Sequence, residues 1–346
     1  MRREMKRYLR ELVRGVNAAL RRRGLSPLPP PTSERLIAFL NSADIKLLDV
    51  GARGGPPDLF HAFAPYTRLV ICEPDPIEIK RVQDKLVAAG VWREVTVIPE
   101  ALFSKWGRME LNIARHEGLS SLLNFNRSEI KKFHCIKKWG DIVERIPVTA
   151  ETLDRIAEQY HLRDVSVIKL DTQGTELDIL KSGQRLVLPS VVAVYVEMEF
   201  IPIYEGQPLF SDVHRFLESE GFHLADIKRT VLRRTTKQYL AYSKPEIAWA
   251  HGIYFRERTA QGNSLPPEAL VRRSVAAAIL EFFDYAVQTL ESPEVERYLA
   301  ARGFTDIPRN LALWSVECLR FLKRRHRWFS FRDTSGSIWS DKHVER

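Results

Sequence analysis

Two carboxylates, an amide and a glycine fall within six residues of this chain, as Asp171, Gln173, Gly174 and Glu176. Grouped at one edge, such side chains can accept a proton, orient a hydroxyl and hold a polar acceptor. The flanking residues say where that edge is. Val165, Val167, Ile168 and Leu170 form an apolar run suited to a strand buried on both faces, and Leu177, Ile179 and Leu180 then open a helical pattern. The polar group therefore lies at the carboxyl end of a strand, where open α/β sheets place their ligands. Asp171 is read as a base or an orienting hydrogen-bond acceptor, the alternative being a carboxylate that caps the following helix or braces a ligand.

A second pair of carboxylates follows on the apolar strand Val191 to Phe200. Glu197 and Glu199 are two apart, so on a strand they face the same side. Close carboxylates raise one another's pKa in a low-dielectric site, which makes Glu197 a second candidate catalytic acid or base beside Asp171. Gln173, Gly174, Glu176, Glu199 and Tyr204, the last in the loop after this strand, are candidates for binding the acceptor substrate.

A third cluster sits near the front of the chain. Leu47-Leu48-Asp49-Val50-Gly51-Ala52-Arg53-Gly54-Gly55 reads as a buried strand ending in a glycine turn, and Leu69-Val70-Ile71-Cys72 ends in Glu73-Pro74-Asp75. Glu73 lies 24 residues after Asp49, near the offset of roughly 20 at which an acid meets ribose hydroxyls in nucleotide-binding folds. Helix N-terminal capping is the structural alternative for it. The turn is GxxGG and not the GxGxxG of dinucleotide binders, so it suits a ligand with no phosphates at that point, such as the amino-acid part of S-adenosylmethionine. Asp49, Gly51, Arg53, Gly54, Glu73, Pro74 and Asp75 are the candidate cofactor-binding residues, with Glu100 and Ala101 at the end of the third strand flanking the adenine.

These groups need a sheet to carry them. Strands are expected at Ile45 to Val50, Arg68 to Glu73, Val95 to Ile98, Met109 to Ile113, Arg145 to Val148, up to Leu170, Val191 to Phe200, Phe222 to Ile227 and Gly252 to Arg256. Their alternation with helices argues for an α/β fold, a mostly parallel sheet of about seven strands with helices on both faces. After Arg258 the pattern is helical only, over Pro267 to Glu291, Glu294 to Ala301 and Asn310 to Lys323. Three parts are expected: residues 1–31, a basic amphipathic helix and Pro-rich linker; 32–258, the α/β domain; and 259–346, a helical C-terminal extension.

With 346 residues, 45% of them hydrophobic, the chain can bury a sizeable core. Of the net charge of +9, residues 1–23 carry nine basic and two acidic side chains. Met5, Leu9, Leu12, Val16 and Leu20 recur on one helical face there, so this segment can lie on an anionic membrane surface or pack on the domain with its basic face in water. No run reaches the roughly 20 apolar residues of a membrane span, and a cytoplasmic protein, peripheral at most at the inner membrane face, is expected. The three cysteines suggest neither a disulfide framework nor a CxxC site, and the nine histidines form no HExxH or HxH motif, so no metal site is expected. His116 and His134 are weaker candidates for substrate contact.

LLDVGARGG, CEPDP, VIKLDTQGTELDILKSG and VYVEMEF, in that order, resemble the successive motifs of the FkbM-type S-adenosylmethionine-dependent methyltransferases over roughly Ile45 to Arg256. The family commonly has a valine-glutamate pair where this chain has Thr172-Gln173. The resemblance implies a Rossmann-like class I methyltransferase fold, S-adenosyl-L-methionine as cofactor, and O-methylation of a hydroxyl on a sugar, glycan, glycolipid or related metabolite. It also implies that the loop Gly118-Leu119-Ser120-Ser121-Leu122 borders the cofactor through Ser120 and Ser121. Two other readings remain open at this point: an NAD(P)-dependent oxidoreductase, and a non-catalytic adaptor for membrane or, with less support, nucleic acid.

Overall fold

A computed structural model describes residues 28–236 and 242–326; the basic segment 1–23 lies outside the described residues. The chain begins with α1 (Glu34–Ser42), whose N-terminus is capped by Ser33 Oγ accepting from Leu36 N, and then enters β1 (Ile45–Val50). A 3₁₀ segment (Asp58–Tyr66) leads to β2 (Thr67–Cys72), α2 (Pro76–Ala89) and β3 (Glu94–Ile98). Next come β4 (Ala101–Leu102), β5 (Gly107–Ala114), the short helices α3 (Arg127–Ile130) and α4 (His134–Trp139), and β6 (Ile142–Glu151). The main sheet resumes through α5 (Leu153–Gln159), β7 (Val167–Leu170), α6 (Glu176–Ser182), β8 (Ala193–Glu199) and α7 (Phe210–Ser219), followed by β9 (Phe222–Leu232) and β10 (Glu246–Arg256). Four helices close the described chain: α8 (Pro267–Ile279), α9 (Phe283–Leu290), α10 (Pro293–Ala300) and α11 (Ile307–His326).

Seven strands form one sheet in the order β3-β2-β1-β7-β8-β10-β9, parallel except for β10, which runs antiparallel to both β8 and β9. This is the expected Rossmann-like class I methyltransferase architecture. β4, β5 and β6, two of which were expected as short strands, make a separate three-stranded sheet in the order β4-β6-β5. The insertion between β5 and β6 folds over the carboxyl ends of the main sheet. Phe125, Ile130, Phe133 and Ile136 from it share a core with Ile201, Ile203, Tyr204, Leu232 and Ala248.

Alternation along the central strands feeds two cores. Leu47, Leu69, Ile71, Val167 and Tyr195 face one side, while Leu48, Val50, Val70, Ile168, Leu170 and Val196 face the other. α5, α6 and α7 cover the second side with Leu153, Ile156, Ile179, Leu180, Val213 and Leu217. The first is covered by α1, the 3₁₀ segment, α2 and the C-terminal helices, with Val275, Ala276, Leu290, Leu311 and Trp314 in the same cluster as Leu36, Phe39 and Phe63. The helical extension is thus a layer of the sheet and not an outlying module. The single helix expected over Pro267 to Glu291 is two, broken at Leu280–Phe282, where Glu281 takes a left-handed φ of 72°.

Strand ends are fixed by backbone fit as much as by side chains. Gly51 has φ of +72°, and a Cβ there would sit 2.0 Å from the carbonyl oxygen of Asp171. Its missing side chain lets the turn after β1 meet the turn after β7. Gly51→Ala combines a strained backbone with a clash against rigid main chain. It is expected to destabilise the fold by about 2 kcal/mol or more, read as a lowered midpoint in urea unfolding, whereas Gly54→Ala, whose Cβ would meet nothing within 4 Å, should cost less.

Candidate active site

The edge formed by the carboxyl ends of β2, β1, β7 and β8, with the facing part of β10, gathers the polar residues. Lys169, one residue before the end of β7, is 4% exposed and lies in register with Asp49 of β1. Its Nζ is 3.0 Å from Asp49 Oδ1 and donates to the carbonyl of Gly51 at 2.8 Å. Burial alone would lower the Lys169 pKa, but the charges of Asp49 and Asp171 outweigh it and raise the pKa. Burial raises the Asp49 carboxyl despite Lys169. Asp49 is fully enclosed, so the structure places it beneath the ligand-facing surface as a partner of Lys169.

Asp171 follows, surrounded by protein yet open over 31% of its side chain. Desolvation would raise its pKa, but Lys169, together with His251 and Gln173, holds the carboxyl well below the usual carboxylate range. Glu197, 4% exposed on β8, behaves oppositely. Burial first, then the negative charges of Asp171, Glu199 and Glu176, pushes it well above that range. Gln173 sits between the two. Its Nε2 donates to Asp171 Oδ1 at 2.9 Å and to Glu197 Oε2, while its Oε1 accepts from the Tyr204 hydroxyl at 2.8 Å. One carboxyl is pushed down, its neighbour up, and an amide that cannot titrate bridges them; pairs driven apart in this way mark acid–base sites.

The loop that holds Gln173 is strained and braced. Gln173 has φ of 61° and Gly174 φ of 101°, a left-handed pair in which the non-glycine member carries a cost. Ser121 Oγ donates to the Gln173 carbonyl at 2.7 Å. Glu176 ties the loop from inside: Oε1 accepts from Thr172 N at 2.6 Å and Oε2 from Gly174 N at 2.9 Å. Both of its oxygens are thus occupied by its own loop, and it is 2% exposed. Tyr204 is fully buried, stacked on Phe125 at 5.0 Å, with its hydroxyl also directed at the carbonyl of Leu119. Glu199 is buried beyond Glu197, its pKa pushed well up by burial and then by Glu176. Gln173 and Glu197 reach the shared cluster; Glu176, Tyr204 and Gly174 support it from behind.

On the other half of the edge, Glu73 directly follows β2, 3% exposed, with Oε1 accepting from Asp75 N at 3.0 Å. Burial raises its pKa to about 7 in spite of that bond and of Arg53. Asp75 caps α2 through Ile77 N and pairs with Arg53 at 2.7 Å, so both also serve the scaffold. Arg53 reaches Glu117 as well, at 3.2 Å, and Gly54 N donates to Glu78 at 2.7 Å. Pro74 lies half-buried between Glu73 and Asp75. Glu100 is raised by burial and Glu151 and is hydrogen-bonded by Tyr160, with Ala101 starting β4 beside it. Ser120 Oγ accepts from Ala114 N at 3.1 Å, so the serine loop is fastened to β5 and, through Ser121, to the Gln173 turn.

His251 was missed by sequence reasoning. It stands opposite Glu197 on β10, with Nε2 3.5 Å from Asp171 Oδ2 and 4.0 Å from Glu197 Oε1. The last strand is expected from Gly252, whereas β10 starts six residues earlier, at Glu246, so the expected strand stops one residue short of His251. The signal lay in HGIYF as an antiparallel complement of VYVEMEF. Among the described residues, Asp171, Glu197 and His251 form a group whose ligand atoms all lie within 4.8 Å of one another. A cavity of about 420 Å³ opens at the opposite edge of the sheet, among Lys46, Arg68, Glu94, His161 and Asp164. Lys46 and Arg68 are there already paired with Asp164, far from this cluster.

The model of the methyltransferase FkbM domain matches residues 49–224, just over half of the chain. The chain therefore belongs to the FkbM methyltransferase family. It is 24% identical over 218 residues to the 2-O-methyltransferase NoeI of Sinorhizobium fredii (strain NBRC 101917 / NGR234), covering 59% of this chain and 86% of that protein. Among solved structures it is similar to a precorrin-6y C5,15-methyltransferase from Geobacter metallireducens GS-15, at 13% identity, 65% of this chain, 88% of that chain and a TM-score of 0.33. The magnesium protoporphyrin IX methyltransferase from Synechocystis PCC 6803 is similar at 12% identity, 64% and 74% coverage and a TM-score of 0.33. Among the described residues no helix is long and apolar enough to cross a membrane.

The Lys169–Asp49 pair sets the electrostatics of the site. At 3.0 Å the attraction is about 5 kcal/mol at an effective dielectric of about 20, comparable with the several kcal/mol it costs to desolvate the ions. The intact pair nets little, but losing one partner strands a buried charge. Lys169→Met is expected to lose about 3–5 kcal/mol of unfolding free energy, and Lys169→Met with Asp49→Leu to recover most of it. Denaturant unfolding of both variants checks the coupling.

Proposed function

We propose that this protein is an S-adenosylmethionine-dependent O-methyltransferase acting on a hydroxyl of a sugar, glycan, glycolipid or related metabolite. The observation that carries the reading is the order of groups along one sheet edge: the buried acid Glu73 just after β2, the open turn after β1, Asp171 after β7, and the buried Glu197 on β8. Family membership supports methyl transfer over hydride transfer, and similarity to a protein named as a 2-O-methyltransferase supports oxygen as the acceptor atom.

The residues present fit the cofactor. A buried carboxylate at the end of β2 can accept from two ribose hydroxyls, and the turn at Gly54 borders open space, since a Cβ there would meet nothing within 4 Å. Glu73 is assigned to the ribose, the Gly51–Gly55 turn to the amino-acid part, and Glu100, Ala101 and the Ser120-Ser121 loop to the adenine side. Bound there, S-adenosylmethionine supplies a methyl group already activated by its sulfonium. The chain's own task is to position the acceptor and manage one proton. Alignment contributes about 7–11 kcal/mol in favourable cases, against about 3–5 for a general base. The rigid, multiply braced Gln173 loop is built for the larger of these. Gln173 and Glu197 face the acceptor, while Glu176 and Tyr204 hold the Gln173 loop in place and Glu199 lies buried on the same strand as Glu197. Peripheral attachment to an anionic membrane through residues 1–23 remains a separate proposal, testable by liposome binding of the full chain and of a chain lacking those residues.

Calorimetry with S-adenosylhomocysteine tests the cofactor, and labelled S-adenosylmethionine with cell-derived glycans and lipids tests the transfer. No binding in the first experiment would remove the reading; methyl recovered on nitrogen or carbon instead of oxygen would correct its chemistry. Glu73 adds a pH signature. Its carboxyl, raised to about 7 in the cofactor-free protein, is neutral below that pH and accepts ribose hydroxyls best when ionised. S-adenosylhomocysteine affinity should therefore rise about tenfold between pH 6 and pH 8. Glu73→Gln should bind more weakly and lose that rise; an unchanged profile would take Glu73 off the ribose.

A further inference from the structure

His251 brings an imidazole nitrogen to the cluster of Asp171 and Glu197, and nothing in the sequence motifs accounts for it. β10 runs antiparallel to β8, and this register sets His251 directly across from Glu197. The imidazole stacks on Tyr195, with ring centroids 5.2 Å apart and 21° between planes, which fixes its plane. Nε2 then points over Glu197 toward Asp171, with 22% of the side chain still exposed. The gaps of 3.5 Å to Asp171 Oδ2 and 4.0 Å to Glu197 Oε1 are too long for good hydrogen bonds. Nε2 thus lies close to both carboxyl groups without being tied tightly to either.

We propose that His251 Nε2 is the proton acceptor of the methyl transfer, and that Asp171 stabilises the resulting imidazolium by its charge. This rests on the O-methyltransferase reading above. In the step, the acceptor oxygen forms its bond to the methyl carbon while the carbon–sulfur bond breaks, with that electron pair passing to sulfur. The hydroxyl proton moves to Nε2, and the other ring nitrogen carries the proton of the neutral tautomer. The division of labour follows from the electrostatics. A carboxylate held ionised by Lys169 is a weak base but a persistent counter-charge, whereas imidazole as a class titrates near neutral pH and suits proton uptake. Glu197, pushed up by burial and then by its carboxylate neighbours, is the poorer counter-charge of the two. Asp171 lies on the side of the accepting nitrogen and so acts on the imidazolium as a counter-charge, while Tyr195 orients the ring. The charged and titratable groups around the ring are Asp171 and Glu197, the Tyr195 hydroxyl, Lys169 beyond Asp171, and Lys228 paired with His251 from β9. A cation held by Asp171, Glu197 and His251 is the competing use of the same atoms. The amide nitrogen of Gln173 already lies between the two carboxylates as a donor, and Lys169 already counters Asp171, so the observations favour the proton acceptor.

The test uses the full chain, labelled S-adenosylmethionine, and a cell-derived glycan and lipid extract as the acceptor source. His251→Gln keeps a polar side chain of similar reach that cannot take up a proton. Its turnover is expected to fall about 10²- to 10⁴-fold, with the KM for S-adenosylmethionine and the affinity for S-adenosylhomocysteine within about threefold of the wild type. The acidic limb of the wild-type kcat–pH profile, taken at saturating S-adenosylmethionine so that cofactor binding at Glu73 does not contribute, should be absent in the variant. Independently of any acceptor, the His251 ring resonance, identified by its loss in His251→Gln, should titrate at lower pH in Asp171→Asn. Retained turnover in His251→Gln, a retained acidic limb, or an imidazole titration indifferent to Asp171→Asn would each overturn the proposal. So would wild-type turnover abolished by a chelator and restored by magnesium or manganese, which would make the three residues metal ligands. Failure of the wild type to bind S-adenosylhomocysteine removes the methyltransferase reading itself, and is seen separately.

Discussion

One buried ammonium organises this protein. Lys169 binds a carboxylate of the neighbouring strand and the carbonyl of the glycine turn, and its field keeps Asp171 ionised. That ionised carboxylate is then one reason, after burial, that Glu197 stays protonated. A charge placed by strand register thus acts through the end of its own strand on the carboxyl of the next, driving the two acids in opposite directions. The sheet supplies both the low-dielectric surroundings that make such couplings strong and the rigid frame that stops the charges from separating.

Much of the edge was legible from local pattern. The change of period within VIKLDTQGTELDIL gave the strand, the turn and the helix after it, and the spacing from Asp49 to Glu73 gave adjacent strand ends. What local pattern cannot show is which polar side chain is spent on its own loop. Glu176 looks like a site acid in sequence, yet it collects the backbone amides of Thr172 and Gly174, and Asp49 is consumed by Lys169. His251 escaped because its partner Glu197 is 54 residues away and joined to it only by antiparallel pairing.

The C-terminal helices illustrate the same limit. Their amphipathic pattern is clear, but a helical pattern does not say what it covers. Leu270, Val275, Ala276 and Leu290 complete the face of the sheet that α1 and the 3₁₀ segment leave open. The separate sheet of β4, β5 and β6 was equally invisible, since short strands carry no label for the sheet they join. Its inserted turn delivers Ser121 to the Gln173 carbonyl, so a residue placed near the cofactor by resemblance also restrains the acceptor loop.

The matched family region ends at residue 224, whereas the edge strands and four helices that finish the sheet lie beyond it. Anyone trimming the chain to its recognisable motifs, for a fusion or a transplanted catalytic module, would discard the strand that carries His251 and uncover an oily face spanning several strands. The natural unit for engineering here is set by which surfaces are closed, and it runs about a hundred residues past the last familiar motif.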